Sequence, residues 1–465
     1  MSVRAFLPSA RAAIRPVAAS SGTAAYSSAA SNLDTTKIDR DAKLACPDPS
    51  ADSASGRLTA AHLPRMVPTY SRPTPVFTKG LNAKLWDLEN REYIDLTAGI
   101  AVNSLGHSDP GYLRVLSAQA SELIHCSNLY HNPWTGELSK LLVEKTVASG
   151  AMKGASRVFV CNSGSEANEA AIKFSRKLGK LRDPSGKKFE IVSFNNSFHG
   201  RTMGSLSATP NPKYQAPFAP MVPGFKVGNL NKIDELESLV TEATCGVIVE
   251  PIQGEGGIFP ASPEFLQALR KRCTEVGALL IYDEIQCGLG RTGDLWAHQA
   301  AGPDAHPDIL TMAKALGNGF PIGATMVTEE VALGMAVGDH GTTYGGNPLA
   351  SRLGHYTFSR LSDPEFLKNV NAKGAVLREG LEKIQKKFAG LATGVRGRGL
   401  IQGLQMSVDP SPIVGKARER GLLVITAGGN TLRFVPPLTI EDDVLVKGLA
   451  ILEEAIEEFA GEQKA

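Results

Sequence analysis

From about position 64 to 459, apolar runs of strand length alternate with stretches of helical period. The pattern predicts strands at 157–160, 190–194, 245–249, 278–282 and 309–312, and helices at 165–178 and 263–276. Short apolar runs separated by helical stretches predict an α/β fold built on a mostly parallel sheet. Beyond Gly354, long helical patterns surround short strand candidates at 399–406 and 431–435, which predicts a second, smaller α+β domain. The chain has 465 residues, enough for two or three folding units of roughly 150 residues each. Neither an internal repeat nor a low-complexity tract interrupts the globular pattern.

The amino terminus departs from it. Residues 1–33 contain no Asp or Glu, and Arg4, Arg11 and Arg15 are spaced among Ala and Ser. That composition is the mark of an organellar transit peptide. The stretch 3–17 can wind into a basic amphipathic helix with Phe6, Leu7 and Ile14 on its apolar face. A mitochondrial matrix protein is therefore expected. Residues 34–63 read as a polar linker, expected to be disordered.

Charge and cysteine content narrow the chemistry by exclusion. Lys plus Arg number 49 and Asp plus Glu 47, so the net charge of +2 leaves no bulk electrostatic footprint for nucleic acid. The six cysteines form no C-x-x-C pair and no H-E-x-x-H occurs, so zinc-type spacing is absent and no metal is expected. Six cysteines in a chain this long are too sparse for a secreted disulfide scaffold, and buried free thiols are expected. No apolar run approaches the roughly 20 residues of a membrane-spanning helix.

In open α/β sheets, ligands sit beyond the carboxyl ends of the strands. The residues that follow each predicted strand are therefore the candidates. After 157–160 comes Asn162-Ser-Gly-Ser-Glu166, a Gly/Ser turn opening a helix, whose free N–H groups and helix dipole suit an anion. The same turn also serves as a plain helix cap through Ser163 or Ser165. After 278–282 comes Asp283, a carboxylate in an apolar setting that needs a partner. A protonated pyridine nitrogen would be one, and an ordinary ion pair or cap is the alternative. Beyond 309–312 comes Lys314, flanked by Met312, Ala313, Ala315 and Leu316. Desolvation would lower its pKa and free the neutral amine for a Schiff base, unless its head simply reaches water. An anion turn, a buried acid and a desolvated lysine at three strand ends together describe a pyridoxal phosphate site.

Several multi-residue motifs, in order, carry a family resemblance over nearly the whole chain from about Tyr70 to Phe459. They are Asn162-Ser-Gly-Ser-Glu-Ala-Asn-Glu169, Ser197-Phe-His-Gly-Arg-Thr202, Glu250-Pro-Ile-Gln-Gly-Glu-Gly-Gly257, Asp283-Glu-Ile-Gln286, Lys314 and Gly341-Thr-Thr-Tyr-Gly-Gly-Asn-Pro348. The sequence resembles the class III (ornithine-type) aminotransferases of fold type I. The resemblance implies a large pyridoxal-phosphate-binding domain at 116–354, with a small domain formed by 64–115 and 355–465. It also implies roles for individual residues. Gly164 and Ser165 hold the cofactor phosphate, Phe198 stacks on its ring, Asp283 faces the pyridine nitrogen, Gln286 approaches the ring hydroxyl, and Lys314 carries the cofactor. Thr343 reaches the phosphate of a neighbouring subunit, which implies an obligate homodimer with shared sites. Thr342 stands near the substrate and Arg201 binds a substrate carboxylate.

By the same resemblance, Arg433 pairs with Glu250 when the amine substrate is bound and turns to the α-carboxylate when glutamate enters. Ornithine aminotransferases typically carry a tyrosine where this chain has Gly99, and glycine leaves room for a substituent on the α-amine. The expected reaction is transfer of the δ-amino group of N2-acetyl-L-ornithine to 2-oxoglutarate. Plain ornithine or another N-acylated ornithine is the alternative donor, and a pyridoxal-phosphate-binding protein without turnover is a more distant one. A nicotinamide-dependent dehydrogenase is excluded by the missing glycine fingerprint.

Overall fold

A computed structural model describes residues 46–463. The expected transit peptide, residues 1–33, lies outside them. A seven-stranded sheet forms the centre, in the order Ala155–Cys161, Gly323–Thr328, Ile309–Met312, Leu279–Asp283, Thr244–Val249, Glu190–Phe194, Phe225–Gly228. Leu279–Asp283 runs parallel to both of its neighbours, and Glu190–Phe194 does likewise. Gly323–Thr328 is antiparallel to the strands on either side of it. The fold is thus the mostly parallel α/β architecture of fold type I.

The central strands are apolar on both faces because both are covered. Side chains alternate across a strand, so Leu280 and Tyr282 pack with Phe265, Leu266 and Leu269 of the helix Pro263–Val276. Leu279 and Ile281 point the other way, to Ala170, Ala171 and Phe174 of the helix Gly164–Arg182. The strand Gly323–Thr328 was not legible in the hydrophobic pattern. Its Thr325 is buried by a specific bond, Oγ1 donating to the carbonyl of Ala167 at 2.8 Å, where patterning expects an apolar side chain.

A second sheet orders Ala392–Arg398, Ile401–Met406, Thr431–Phe434 and Ile425–Ala427, all antiparallel. The amino-terminal meander Phe77–Leu81, Lys84–Asp87, Glu92–Asp95 is completed by Leu422–Leu423, which pairs in parallel with Glu92–Asp95. Early and late parts of the chain therefore share one sheet.

The described part of the expected disordered linker is structured. Ser53 caps a helix, Ala54–His62. Glu89 accepts from the backbone N–H and the hydroxyl of Ser55 at 2.8 and 2.7 Å. Asp48 takes Nε and Nη2 of Arg418 at 2.8 and 2.6 Å, and Cys46 is buried. Charge and hydrogen bonding dock this segment with little apolar burial, so hydrophobicity carried no signal of it; 34–45 lie outside the described residues. Five of the six cysteines are buried and all six are free. Among the described residues no helix is long and apolar enough to cross a membrane.

Candidate active site

A cavity of about 300 Å³ opens at the carboxyl ends of the parallel strands. Its wall on one side is the turn Ser163–Gly164–Ser165, where the strand Ala155–Cys161 gives way to the helix Gly164–Arg182. Ser163 Oγ accepts from the N–H of Glu166 at 3.2 Å and caps the helix. The first-turn N–H groups of Gly164 and Ser165 have no acceptor within the helix, and the positive end of its dipole lies here. The cap is realised at Ser163, and it leaves the N–H groups of Gly164 and Ser165 without an acceptor inside the helix. Gly200, at φ +135°, lies so close to Ser165 Oγ and Ser205 Oγ that a Cβ would overlap them.

Asp283 ends its strand at 2% exposure. Its Oδ2 accepts from Nδ1 of His199 at 2.7 Å and from Nδ2 of Asn168 at 2.8 Å. Asn168 is itself fixed, donating to the carbonyl of His199 at 2.7 Å and accepting from Thr311 Oγ1 at 2.8 Å. Oδ1 accepts from the N–H of Ile285 at 3.1 Å and retains a free lone pair toward the cavity wall that Asp283 forms. Lys314 lies just beyond the strand Ile309–Met312, at φ +35°, a conformation rarely adopted by a side-chain-bearing residue. Burial, reinforced by the charge of Arg433, holds its amine down to about 8; the carboxylates of Glu255, Asp283 and Glu250 offset part of that.

Arg433, on the strand Thr431–Phe434, is buried at 2% exposure. Its Nη1 lies 2.7 Å from Oε2 of Glu255 and donates to Oε1 of Gln286 at 3.1 Å. Phe198 lines the cavity. Arg201 is exposed beside it, its backbone N–H donating to Ser165 Oγ at 3.1 Å.

Residues 67–456 match the family model described as Aminotransferase class-III. The chain is 66% identical to the mitochondrial acetylornithine aminotransferase of Neurospora crassa over 89% of its length and 90% of the relative's. The chain belongs to the class III aminotransferases. Among solved structures, N-acetylornithine aminotransferase from Stenotrophomonas maltophilia is 38% identical, with a TM-score of 0.74, covering 87% of this chain and all of that one. An ornithine aminotransferase from Toxoplasma gondii, with partial occupancy of pyridoxal phosphate at its active site, is 31% identical with a TM-score of 0.82. The two chains are covered to 88% and 96%.

As a class III aminotransferase the protein is a transaminase that uses pyridoxal phosphate. Its residues fit that cofactor: open helix-terminal N–H groups for a phosphate, an aromatic wall at Phe198, a carboxylate whose Oδ1 accepts only one hydrogen bond, and a lysine whose amine is easily deprotonated all line one cavity.

Two of the expected substrate contacts differ from expectation. Glu250 is not the partner of Arg433 in this structure; Glu255, five residues on, is. Glu250 is instead buried, with Oε1 accepting from the N–H of Phe198 at 2.8 Å and Oε2 from that of Gly254 at 3.1 Å. Burial pushes its carboxyl up to about 7; Asp283 adds to that and His199 opposes it. A carboxyl so placed is a poor permanent counter-ion. The second difference is Gly99. It does not line the cavity, and its φ of +63° requires a residue tolerant of the left-handed region. Glycine there answers first to the backbone.

Thr342 Oγ1 accepts from Asn162 Nδ2 at 3.0 Å and from the N–H of Gly345 at 3.3 Å, so its hydroxyl stabilises a turn at the cavity edge. Thr343 is exposed and outside the cavity of its own chain. Sequence reasoning passed over His199, Asn168 and Glu255, although all three stand inside the quoted motifs. The available signal was position: His199 directly follows Phe198, and Asn168 is three residues past Ser165 on the helix.

Proposed function

We propose that the protein transfers the δ-amino group of N2-acetyl-L-ornithine to 2-oxoglutarate, giving N-acetyl-L-glutamate 5-semialdehyde and L-glutamate, a step of arginine biosynthesis. The observation that carries this reading is the pair of arginines in unequal states. Acetylornithine presents one carboxylate and a neutral amide, whereas glutamate presents two carboxylates. A site serving both needs one arginine always available and one that can be neutralised. Arg201 fits the first description and Arg433, held by Glu255 and Gln286, the second. The Neurospora relative's name supports the acetylated donor.

When bound, pyridoxal phosphate supplies the electron sink for the carbanion left by proton removal. Gly164 and Ser165 would hold its phosphate, Phe198 its ring face and Gln286 its hydroxyl. Asp283, braced by His199 and Asn168, would keep the ring nitrogen protonated. Lys314 Nζ would take up the proton lost from the amine-bearing carbon of the substrate, a task suited to an amine held down to about 8.

Three further parts of the reading concern the whole chain. Import into the mitochondrial matrix is supported by the acid-free, Arg-bearing residues 1–33 and by the relative's mitochondrial name. Division into a large domain at 116–354 and a small one from 64–115 plus 355–465 is supported by the pairing of Glu92–Asp95 with Leu422–Leu423. A homodimer in which Thr343 reaches the partner's phosphate site is supported by exposed apolar surface beside that loop. Leu129, Tyr130 and Tyr344 are 86, 71 and 64% exposed. Asn128 ties their segments together, donating to the carbonyls of Thr342 and Gly345 at 3.0 and 2.8 Å.

Half-reactions measured separately by stopped flow test the chemistry. The wild-type holoenzyme should convert acetylornithine and glutamate, and convert ornithine poorly. Glu255→Gln should slow the acetylornithine half-reaction by roughly thirtyfold, the low end for removing one partner of a largely buried charge pair, and spare glutamate. Equal slowing of both half-reactions would refute the switch, and an ornithine rate above that of acetylornithine would overturn the donor.

A further inference from the structure

The two arginines of the site are held by different physics. Arg433 is buried and neutralised by a carboxylate. The guanidinium of Arg201 makes no hydrogen bond or ion pair with any of the described residues. Aromatic faces hold it instead: its central carbon lies 3.7 Å from the ring centroid of Tyr214 and 5.2 Å from that of Phe198. The two rings meet edge to face, 6.3 Å apart at 86°. Phe198 belongs to the cavity wall, but Tyr214 does not.

Tyr214 sits on a short helix, Pro212–Gln215, that is fixed at both ends. Asn211 caps it by accepting from the N–H of Lys213, and Pro212 supplies a helical φ at its first position. Gln215 Nε2 donates to the carbonyls of Leu206 and Thr209 at 3.1 and 3.0 Å, which ties the helix to the turn after Arg201. The ring is thus a rigid platform.

We propose that Tyr214 is a specificity-determining residue of this transaminase: its ring face holds Arg201 beside the cavity wall with every guanidinium N–H free for a substrate carboxylate. The proposal rests on the role of Arg201 given above. A glutamate partner would restrain the guanidinium equally well, but it would neutralise the charge and occupy the in-plane donors a carboxylate needs. A ring face attracts the cation from above the plane and leaves those donors open. It also removes side-chain freedom before the substrate arrives, which lowers the cost of binding. The ligands so selected are amines bearing an α-carboxylate and five-carbon dicarboxylates. A donor without a carboxylate gains nothing from the arrangement.

Titration of the holoenzyme with glutarate, an unreactive five-carbon dicarboxylate, reads the effect without turnover. Tyr214→Leu should weaken glutarate by roughly 3- to 30-fold, the range of a cation–π contact, and Tyr214→Phe should stay close to wild type because the ring face remains. KM for glutamate and for acetylornithine should rise by the same factor with kcat unchanged. N-acetylputrescine, which is acetylornithine without its carboxylate, should react equally with every variant. Tyr214→Trp, with a larger face, keeps the test open if the leucine variant loses its fold, and it should bind glutarate at least as well as wild type.

Wild-type glutarate affinity in Tyr214→Leu would overturn the proposal. So would a loss in Tyr214→Phe equal to that in the leucine variant, or an equal loss with N-acetylputrescine. Arg201→Gln separates the two levels of the argument. Loss of glutarate there without loss in Tyr214→Leu removes Tyr214 alone, whereas no loss in Arg201→Gln removes the carboxylate role and the proposal with it.

Discussion

Lys314 shows how burial prepares a reactive group. An ordinary lysine amine is protonated well past neutrality and is no nucleophile there. Here burial and the nearby charge of Arg433 lower its pKa to about 8, from an ordinary value of 10.5. The sign can be checked in the cofactor-free protein. Acylation of Lys314 by a small anhydride, followed by mass spectrometry, should reach half its maximal rate near pH 8, while surface lysines rise toward 10.5. The same shift means that the unfolded chain binds more protons than the fold between pH 8 and 10.5. The cofactor-free fold therefore gains stability from this group as pH rises through that window. A Lys314 profile that follows the surface lysines would show that its amine is solvated. Glu250 illustrates the opposite sign at the same scale, since burial raises a carboxyl by disfavouring its charged form.

At the scale of an element, residues 98–101 depart furthest from ordinary backbone. Ala98, Gly99, Ile100 and Ala101 all have positive φ, at 47, 63, 66 and 63°, so they form one turn of left-handed helix. Each residue other than glycine costs about 1–2 kcal/mol in that conformation. Asp95 holds the turn in place: Oδ1 accepts from the N–H of Thr97, the Thr97 hydroxyl and the N–H of Ala98 at 2.8, 2.7 and 2.9 Å, and Oδ2 lies 2.8 Å from Nε2 of His107. Burial raises the Asp95 carboxyl, but the bonds from His107 and Thr97 outweigh it and leave the pKa below the ordinary value. A Cβ on Gly99 would find only Asn103 Nδ2 within 3.4 Å, at 3.2 Å, so strain rather than crowding limits substitution. Gly99→Ala should cost about 1–2 kcal/mol in a denaturant melt, and it should lower acetylornithine, ornithine and glutamate turnover together. A tenfold shift of the acetylornithine-to-ornithine ratio in a stable variant would restore the substrate-space reading.

The whole molecule raises the question of a second copy. Thr343 is exposed and lies outside the cavity of its own chain, and the exposed apolar side chains around it form a surface suited to burial. If that surface completes a partner's phosphate site, the cofactor and the dimer stabilise each other, since a ligand bound only by the assembly favours assembly. Sedimentation should show the holo form as a dimer at concentrations where the cofactor-free form dissociates. Tyr344→Asp should weaken association and cofactor affinity in parallel. A fully active monomer at nanomolar concentration would refute shared sites.

The central strands and the chemistry at their ends were legible in the sequence. Strand placement follows from apolar runs, and a parallel sheet puts its ligand beyond strand ends whatever the helices do in detail. Asp283, Lys314 and the Ser163–Ser165 turn could be named on that basis, and the structure brings them to one cavity. The sequence also placed both arginines among the candidates, because few residue types bind a carboxylate in fork geometry. The resemblance assigned Glu250 to Arg433, whereas the structure pairs Arg433 with Glu255. That pairing depends on a loop whose Gly256 and Gly257 pack against Asn196 and Gly428, contacts spanning the chain. The helix Ala54–His62 was hidden because a cap and hydrogen bonds to Glu89 hold it, and these leave no periodic trace. Likewise the left-handed turn at Gly99 looks in sequence like space for a substrate. Local periodicity fixes which elements form, but the charge state and partner of a buried side chain depend on residues far away along the chain, and only the tertiary structure decides them.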